Sequence, residues 1–147
     1  MDRRIELYKS VGEALHLAQV LELHISTLIS ILRVRFDVDI DQDKLILRED
    51  KKTLGKLLDE LKKHGNLDED GIQVFQNALA MRNYIAHHFF NRNVYAFSDQ
   101  ESFNNAIDSL KDGTKTIAAA TALAQGFVEG FCRLFNLKLS DIVVRQD

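Results

Sequence analysis

The sequence YKSVGEALHLAQVLELHISTLISILRVRF, residues 8–36, decides the fold because its apolar residues recur at the spacing of one helix face. Steps of three and four residues connect a first apolar row, and a second row widens the face beyond a coiled-coil seam. The first row is Tyr8, Val11, Leu15, Ala18, Glu22, Ile25, Ile29, Leu32 and Phe36, and the second is Leu7, Ala14, Leu21 and Leu28. The pattern predicts a long helix from about Asp2 to Phe36 that buries one side.

Two shorter helices are predicted after an acidic connection. The connection, residues 37–52, contains Asp37, Asp39, Asp41 and Asp43 but lacks the glycine and the glutamate that a calcium loop requires. Thr53 caps a predicted helix that ends at Gly65, and Asp68 or Asp70 begins the next one, which runs to about Phe90. The expected core positions of that third helix are Ile72, Phe75, Leu79, Arg82, Ala86 and Phe89.

A long last helix is predicted to about Asn136, beginning at a capping box formed by Ser98 and Glu101. Its core stripe is Phe103, Ile107, Leu110, Thr114, Ile117, Thr121, Ala124, Val128, Phe131 and Phe135, and a small-residue row beside it is Ala118, Ala122, Gly126 and Gly130. Such a row allows close helix approach, within the fold or between two copies. We therefore expect one all-α domain over residues 1–147, a four-helix bundle with two long outer helices and two shorter middle helices.

The composition excludes several classes of protein. The chain has 46% apolar and 28% charged residues, no proline and one cysteine, values of a soluble globular protein that has no internal disulfide. No segment reaches the roughly 18 uninterrupted apolar residues of a membrane span. The net charge of −3 gives no overall attraction to nucleic acid, so any nucleic-acid site must be local. We expect a cytoplasmic protein that is not bound to a membrane.

Two opposite charges interrupt the predicted core stripes, Glu22 in the first helix and Arg82 in the third. An unpaired charge in a core costs several kcal/mol, so the two side chains are expected to meet or to share a cleft. Next to Arg82, Asn83 and His87 fall on one flank of the same helix, while His88 faces away. A guanidinium that can hold a phosphate beside an imidazole that titrates near neutral pH predicts a phosphodiester site.

No metal or other cofactor is predicted. His87 and His88 diverge by about 100° on a helix and cannot chelate one ion together. The sequence also has no HExxH or CxxC pattern.

The segment Arg82-Asn83-Tyr84-Ile85-Ala86-His87 resembles the signature of the HEPN domain superfamily (higher eukaryotes and prokaryotes nucleotide-binding), in which a polar residue and then a histidine follow an arginine. The predicted helix arrangement resembles that of the superfamily over essentially the whole chain, whereas the sequence motif covers only these six residues. It implies a metal-independent endoribonuclease acting as a homodimer, as in toxins of toxin–antitoxin pairs or phage-defence systems, with RNA as substrate and an antitoxin protein as partner. The chain departs from one toxin branch, because His88 and Phe89 follow His87 where that branch has His-x-Tyr.

In the implied mechanism Arg82 binds the scissile phosphate, His87 moves a proton, Asn83 orients them and Glu22 tethers Arg82 or His87, leaving a 2′,3′-cyclic phosphate and a 5′-hydroxyl. Two alternatives stay open. The first is a non-catalytic helical module that binds a nucleotide, an RNA or a protein through the same flank, which the acidic net charge favours. The second is a structural interpretation, with Arg82 in a core ion pair and His87 an exposed helix histidine.

Overall fold

The computed structural model describes residues 2–36, 54–64 and 67–138, and within these ranges all regular secondary structure is helical. The elements are α1 (Arg3–Phe36), α2 (Leu54–His64), α3 (Glu69–His87), α4 (Phe89–Arg92), a 3₁₀ turn (Val94–Phe97) and α5 (Gln100–Leu134). The chain is an all-α helical bundle around one apolar core, as the sequence predicts. The acidic connection with its four aspartates, the Thr53 cap and the Gly65 helix end lie outside the described residues.

The long helix α1 is confirmed, and both predicted apolar rows are largely buried, with Tyr8 as the exception. Residues of the second apolar row, such as Leu7 and Leu21, are fully buried, whereas Tyr8 at the start of the first row is 57% exposed. The prediction of a core Tyr8 is therefore wrong. At about 100° per residue, Tyr8 lies at the edge of the wide face that the two rows form, which is where exposure begins.

The helix α3 begins at a well-formed cap and ends earlier than predicted. Asp68 is the N-cap, and its carboxylate accepts a hydrogen bond of 2.8 Å from the backbone N–H of Gly71. The helix stops at His87, because His88 leaves helical geometry before α4 begins. Its buried residues are Phe75, Ala78 and Ile85. In the last turn of α3 the core position is therefore Ile85, one residue before the predicted Ala86, which is exposed.

The chain reverses between α3 and α5 through α4 and the 3₁₀ turn. The cap of α5 is Asp99, whose carboxylate accepts a 2.7 Å hydrogen bond from the backbone N–H of Ser102, and not Ser98 as predicted. Ser98 ends the 3₁₀ turn instead, and its hydroxyl donates to the carbonyl of Tyr95 at 3.0 Å. Adjacent Ser and Asp residues are both good caps, so the sequence alone does not separate them.

The two long helices run in the same direction. Near the start of α1, Arg3 donates to the carbonyl of Ser98 and to Gln100 Oε1, and further along α1, His24 lies close enough to Glu129 of α5 for a Coulombic interaction. The predicted core stripe of α5 is confirmed from Phe103 to Val128 apart from Thr114, which is only half-buried. The helix ends at Leu134, close to the predicted position.

The close approach of α5 to α3 occurs at Gly113 and not along the predicted small-residue row. A side-chain carbon at Gly113 would lie 2.7 Å from Met81 Sδ and 3.3 Å from Ile85 Cδ1. By contrast, Gly126 and Gly130 of the predicted row have no neighbouring side chain within 4 Å of such a carbon. That row is therefore not a packing surface among the described residues.

The helix α1 also has the length and composition of a membrane span. Within Arg3–Leu32, an 18-residue window reaches a mean hydropathy of 1.5, and half of that window is buried against the rest of the chain. Core helices of soluble proteins and signal sequences meet the same criterion, so this property alone does not assign α1 to a membrane.

Candidate functional site

The centre of the candidate site is a contact between α1 and α3. Arg82 Nε lies 3.6 Å from Glu22 Oε1, so the two charges that interrupt the apolar stripes do meet. They are not core residues, however, because the side chain of Arg82 is 30% exposed and that of Glu22 is 27% exposed. The interpretation as a buried core ion pair therefore does not fit, and the guanidinium remains accessible to a ligand from solvent.

Asn83 extends this contact along α3. Its side-chain Oδ1 accepts a hydrogen bond of 3.1 Å from Arg82 Nη1. The guanidinium is thus held between a carboxylate on one side and an amide on the other, which fixes its orientation at the edge of the helix interface. Asn83 itself is exposed on the solvent side of α3.

His87 is exposed on the last turn of α3. At about 100° per residue, it lies about 40° around the helix from Asn83 and about 140° from Arg82. The structure therefore brings Arg82 to Glu22 and to Asn83, and it places His87 on the same solvent-facing side as Asn83. No direct contact joins His87 to Arg82 among the contacts of the described residues, and helical position alone relates His87 to Asn83.

His88 lies closer to His87 than the predicted opposite face implies. The two imidazole rings are 6.4 Å apart between centroids and meet edge to face. The reason is that His88 is the C-cap of α3 and no longer follows the helix. Its backbone N–H still donates to the carbonyl of Tyr84 at 2.9 Å, which closes the last turn.

Aromatic side chains hold the end of α3 that carries His87. Tyr84 packs edge to face on Phe89 at 6.3 Å between centroids, and its hydroxyl accepts a 3.0 Å hydrogen bond from Asn93 Nδ2. The same Asn93 amide donates to the carbonyl of Phe89 at 2.7 Å. These contacts tie α4 to α3, so the position of the site does not depend on a free loop.

The described residues provide no site for a metal ion. No group of three or more His, Cys, Asp or Glu side chains within them is arranged to hold one. An open groove of about 380 Å³ between α3 and α5 lies one residue from Arg82, but its lining is Asn77, Ala80, Met81 and Thr116, none of which ionises. The groove itself therefore offers no charged side chain for binding an anion.

A wider charge pattern along the sequence is hidden by the net charge of the whole chain. From Gly71 to Ser98 the chain has no carboxylate, although the whole chain has 22 acidic residues. Within this carboxylate-free segment, residues 71–98, lie Arg82, His87, His88 and Arg92. The absence of Asp and Glu from this segment becomes visible when charges are counted segment by segment instead of over the whole chain. The segment also carries Tyr95, whose ring is 70% exposed.

Comparison of the chain with protein-family models, with curated proteins and with solved structures finds no match.

Proposed function

We propose that this chain is a metal-independent endoribonuclease of the HEPN type, with α1, α2, α3 and α5 as the four helices of the HEPN arrangement, and that it acts in the cytoplasm as a homodimer. The observation that carries the proposal is the accessible guanidinium of Arg82, held at 3.6 Å by Glu22 and at 3.1 Å by Asn83, with His87 exposed on the next turn of the same helix. A fixed cation beside an imidazole suits cleavage of a phosphodiester by its own 2′-hydroxyl.

In the proposed reaction, the 2′-oxygen of the RNA attacks phosphorus and the bond to the 5′-oxygen breaks. The proton of the 2′-hydroxyl passes to a general base, and the leaving 5′-oxygen receives a proton from a general acid. The products are a 2′,3′-cyclic phosphate and a 5′-hydroxyl. Arg82 binds the non-bridging phosphate oxygens and stabilises the charge that develops on them, while Glu22 and Asn83 orient Arg82.

A homodimer follows from the need for two proton-transfer groups. One copy of α3 offers His87 on the solvent side near Asn83, whereas the base and the acid act on opposite sides of the phosphorus. A two-fold axis near His87 brings a second His87 to the other side of the same phosphate. The exposure of His87 in one copy is compatible with such an arrangement.

The test is cleavage of a mixed RNA pool by the purified protein in EDTA, followed by analysis of the product ends. We expect cyclic phosphate ends from the unaltered protein and at least about a hundredfold slower cleavage by His87→Ala and by Arg82→Ala. His88→Ala is the matched control, because it removes a neighbouring exposed imidazole and is expected to leave the rate within about twofold. Equal cleavage by all variants, or loss of cleavage with His88→Ala alone, contradicts the proposed site.

The net charge of −3 favours a second candidate, a non-catalytic helical module that binds a nucleotide, an RNA or a protein through the same surface. The same experiment separates the two functions. A protein that binds RNA in EDTA without cutting it, and loses the binding with Arg82→Ala, is such a module.

A further inference from the structure

A second feature of the carboxylate-free segment lies beyond Arg82 and His87, at the 3₁₀ turn between α4 and α5. Tyr95 in this turn is 70% exposed, and Tyr8, 57% exposed, packs against the turn with its ring centroid 6.1 Å from that of Phe97. Large aromatic side chains with this much exposure form a surface that offers apolar ring area to a ligand.

The backbone that carries Tyr95 is fixed. Its carbonyl accepts three hydrogen bonds, from the N–H of Ser98 at 2.9 Å, the N–H of Asp99 at 3.1 Å and the hydroxyl of Ser98 at 3.0 Å. The next residue, Ala96, is buried and anchors the turn in the core. A ligand that stacks on the Tyr95 ring therefore orders little of the protein when it binds.

A fixed cation lies just before this turn. The guanidinium carbon of Arg92 is 6.0 Å from the centroid of the Tyr84 ring, a cation–π contact, and Asn93 holds the Tyr84 hydroxyl. Arg92 is exposed, and it forms no salt bridge with a carboxylate of the described residues. An exposed guanidinium in such a contact can donate its N–H groups to a phosphate.

We infer that Tyr95 and Arg92 form a subsite for single-stranded RNA, in which Tyr95 stacks on one base and Arg92 pairs with a phosphate. The inference rests on the proposed function for the identity of the polymer, and it extends the substrate strand from His87 across α4 to the 3₁₀ turn. Unpaired bases are required, because bases stacked inside a duplex do not present their faces to an aromatic side chain.

Charge favours RNA over a second copy of the chain as the occupant of this surface. In a two-fold contact centred on Tyr95, the same patch meets itself, so the Arg92 of one copy faces the Arg92 of the other. Like charges facing each other in an interface are unfavourable, whereas a polyanion is attracted to the same residues.

The test measures binding of a labelled 2′-O-methyl RNA of about ten nucleotides, which fills a site of this kind and has no free 2′-hydroxyl to attack phosphorus. We expect Tyr95→Ala to raise the Kd about fivefold or more, and Tyr95→Phe to change it little because the stacking ring remains. Arg92→Gln raises the Kd and reduces its dependence on salt. Leu134→Ala is the control, since Leu134 is an equally exposed apolar residue at the other end of α5.

The outcomes separate this inference from the proposed function. Unchanged Kd values in Tyr95→Ala and Arg92→Gln, or no binding by the unaltered protein, overturn the subsite even if ordinary RNA is cleaved in EDTA. Binding with the expected losses, but without cleavage of ordinary RNA, supports the subsite and contradicts the proposed enzyme. If Tyr95→Ala turns a dimer into a monomer in light scattering and leaves the Kd unchanged, the surface is a contact between copies and the inference is wrong.

Discussion

The ion pair between Glu22 and Arg82 joins two helices, yet its exposure limits what it contributes to stability. Both side chains are about one-third or less exposed, at 27% and 30%, and the charged atoms are 3.6 Å apart, longer than a good hydrogen bond. Water screens such a pair, so its contribution is of the order of that of a surface salt bridge. The pair therefore orients Arg82 more than it holds α1 to α3.

Glu22→Gln tests this interpretation. We expect the free energy of unfolding in urea to fall by less than about 1 kcal/mol, because solvent reaches both side chains of the pair and screens their attraction. Glu13→Gln is the control, since its pair with Lys9 is at 3.9 Å and more exposed. A loss of about 3 kcal/mol or more would mean that the pair acts as a buried structural bridge, and the structural interpretation of Arg82 would then be preferred.

Asp99 makes the start of α5 sensitive to acid. Hydrogen bonds from Ser102 hold the pKa of the Asp99 carboxyl below its usual value, chiefly because the backbone N–H of Ser102 donates to the charged form. A carboxyl whose pKa is lower in the folded state stabilises the fold above its unfolded pKa of about 3.9. The stabilisation that the charged Asp99 gives to the fold is lost as the pH falls from about 3.9 through the lower pKa of the folded state.

The measurement is the Tm of Asp99→Asn against that of the unaltered protein between neutral pH and about pH 3. Asn is also a good cap but does not titrate, so the Tm advantage of Asp99 at neutral pH should shrink as the pH falls. Asp108→Asn, an exposed substitution in the interior of α5, is the control. A Tm difference for Asp99→Asn that stays constant over this pH range contradicts the assignment of Asp99 as a charged cap.

At the scale of the elements, Gly113 sets the distance between α3 and α5. A side chain there meets Met81 Sδ at 2.7 Å, whereas one at Gly126 on the same helix meets nothing within 4 Å. We expect Gly113→Val to lower the free energy of unfolding by about 1–3 kcal/mol relative to Gly126→Val, because only the first substitution overpacks the core. Chemical denaturation of the two variants measures this, and both carry the same change in helix propensity. Equal stabilities would show that Met81 moves aside without cost.

The sequence predicts the elements better than it predicts their faces. The apolar spacing predicts the ends of the long helices α1 and α5 to within about two residues, because it continues over many turns. The faces are less certain wherever a helix is apolar on several sides, which explains the exposed Tyr8 and the buried Ala78 and Ile85. The break at His88 has neither glycine nor proline to signal it, so no local rule finds it.

The candidate site was predicted in part for a different reason. Two opposite charges in apolar stripes are predicted to pair because burying either one alone is unfavourable, and Glu22 does contact Arg82. The stripes do not give the exposure of the two side chains, which depends on how α1 and α3 cross. The Tyr95 and Arg92 surface was not predicted at all, because it depends on the 3₁₀ turn and on the contact between Arg92 and Tyr84.

At the scale of the whole molecule, the parallel course of α1 and α5 concentrates the candidate chemistry at one end. The chain turns from α3 into α5 where α1 begins, as the contacts from Arg3 to Ser98 and Gln100 show. The carboxylate-free segment, residues 71–98, includes this turn and most of α3. A molecule with a net charge of −3 thus has one segment without acidic side chains of its own, although Glu22 of α1 contacts Arg82 and Asp99 follows directly after Ser98.

If each proposed active site needs His87 from two copies, mixing the unaltered chain with the His87→Ala variant lowers the rate of RNA cleavage by a predictable factor. After random exchange with an equal amount of His87→Ala, half of the unaltered chains pair with an inactive partner, so cleavage falls to about one-half of the rate of the unaltered protein alone. Sites contained within one copy would instead keep the full rate. The mixture is assayed for RNA cleavage in EDTA after incubation long enough for exchange, with an equal mass of an unrelated protein as the control. An unchanged rate, in a protein that light scattering shows to exchange partners, contradicts a shared site and leaves His87 working within a single copy.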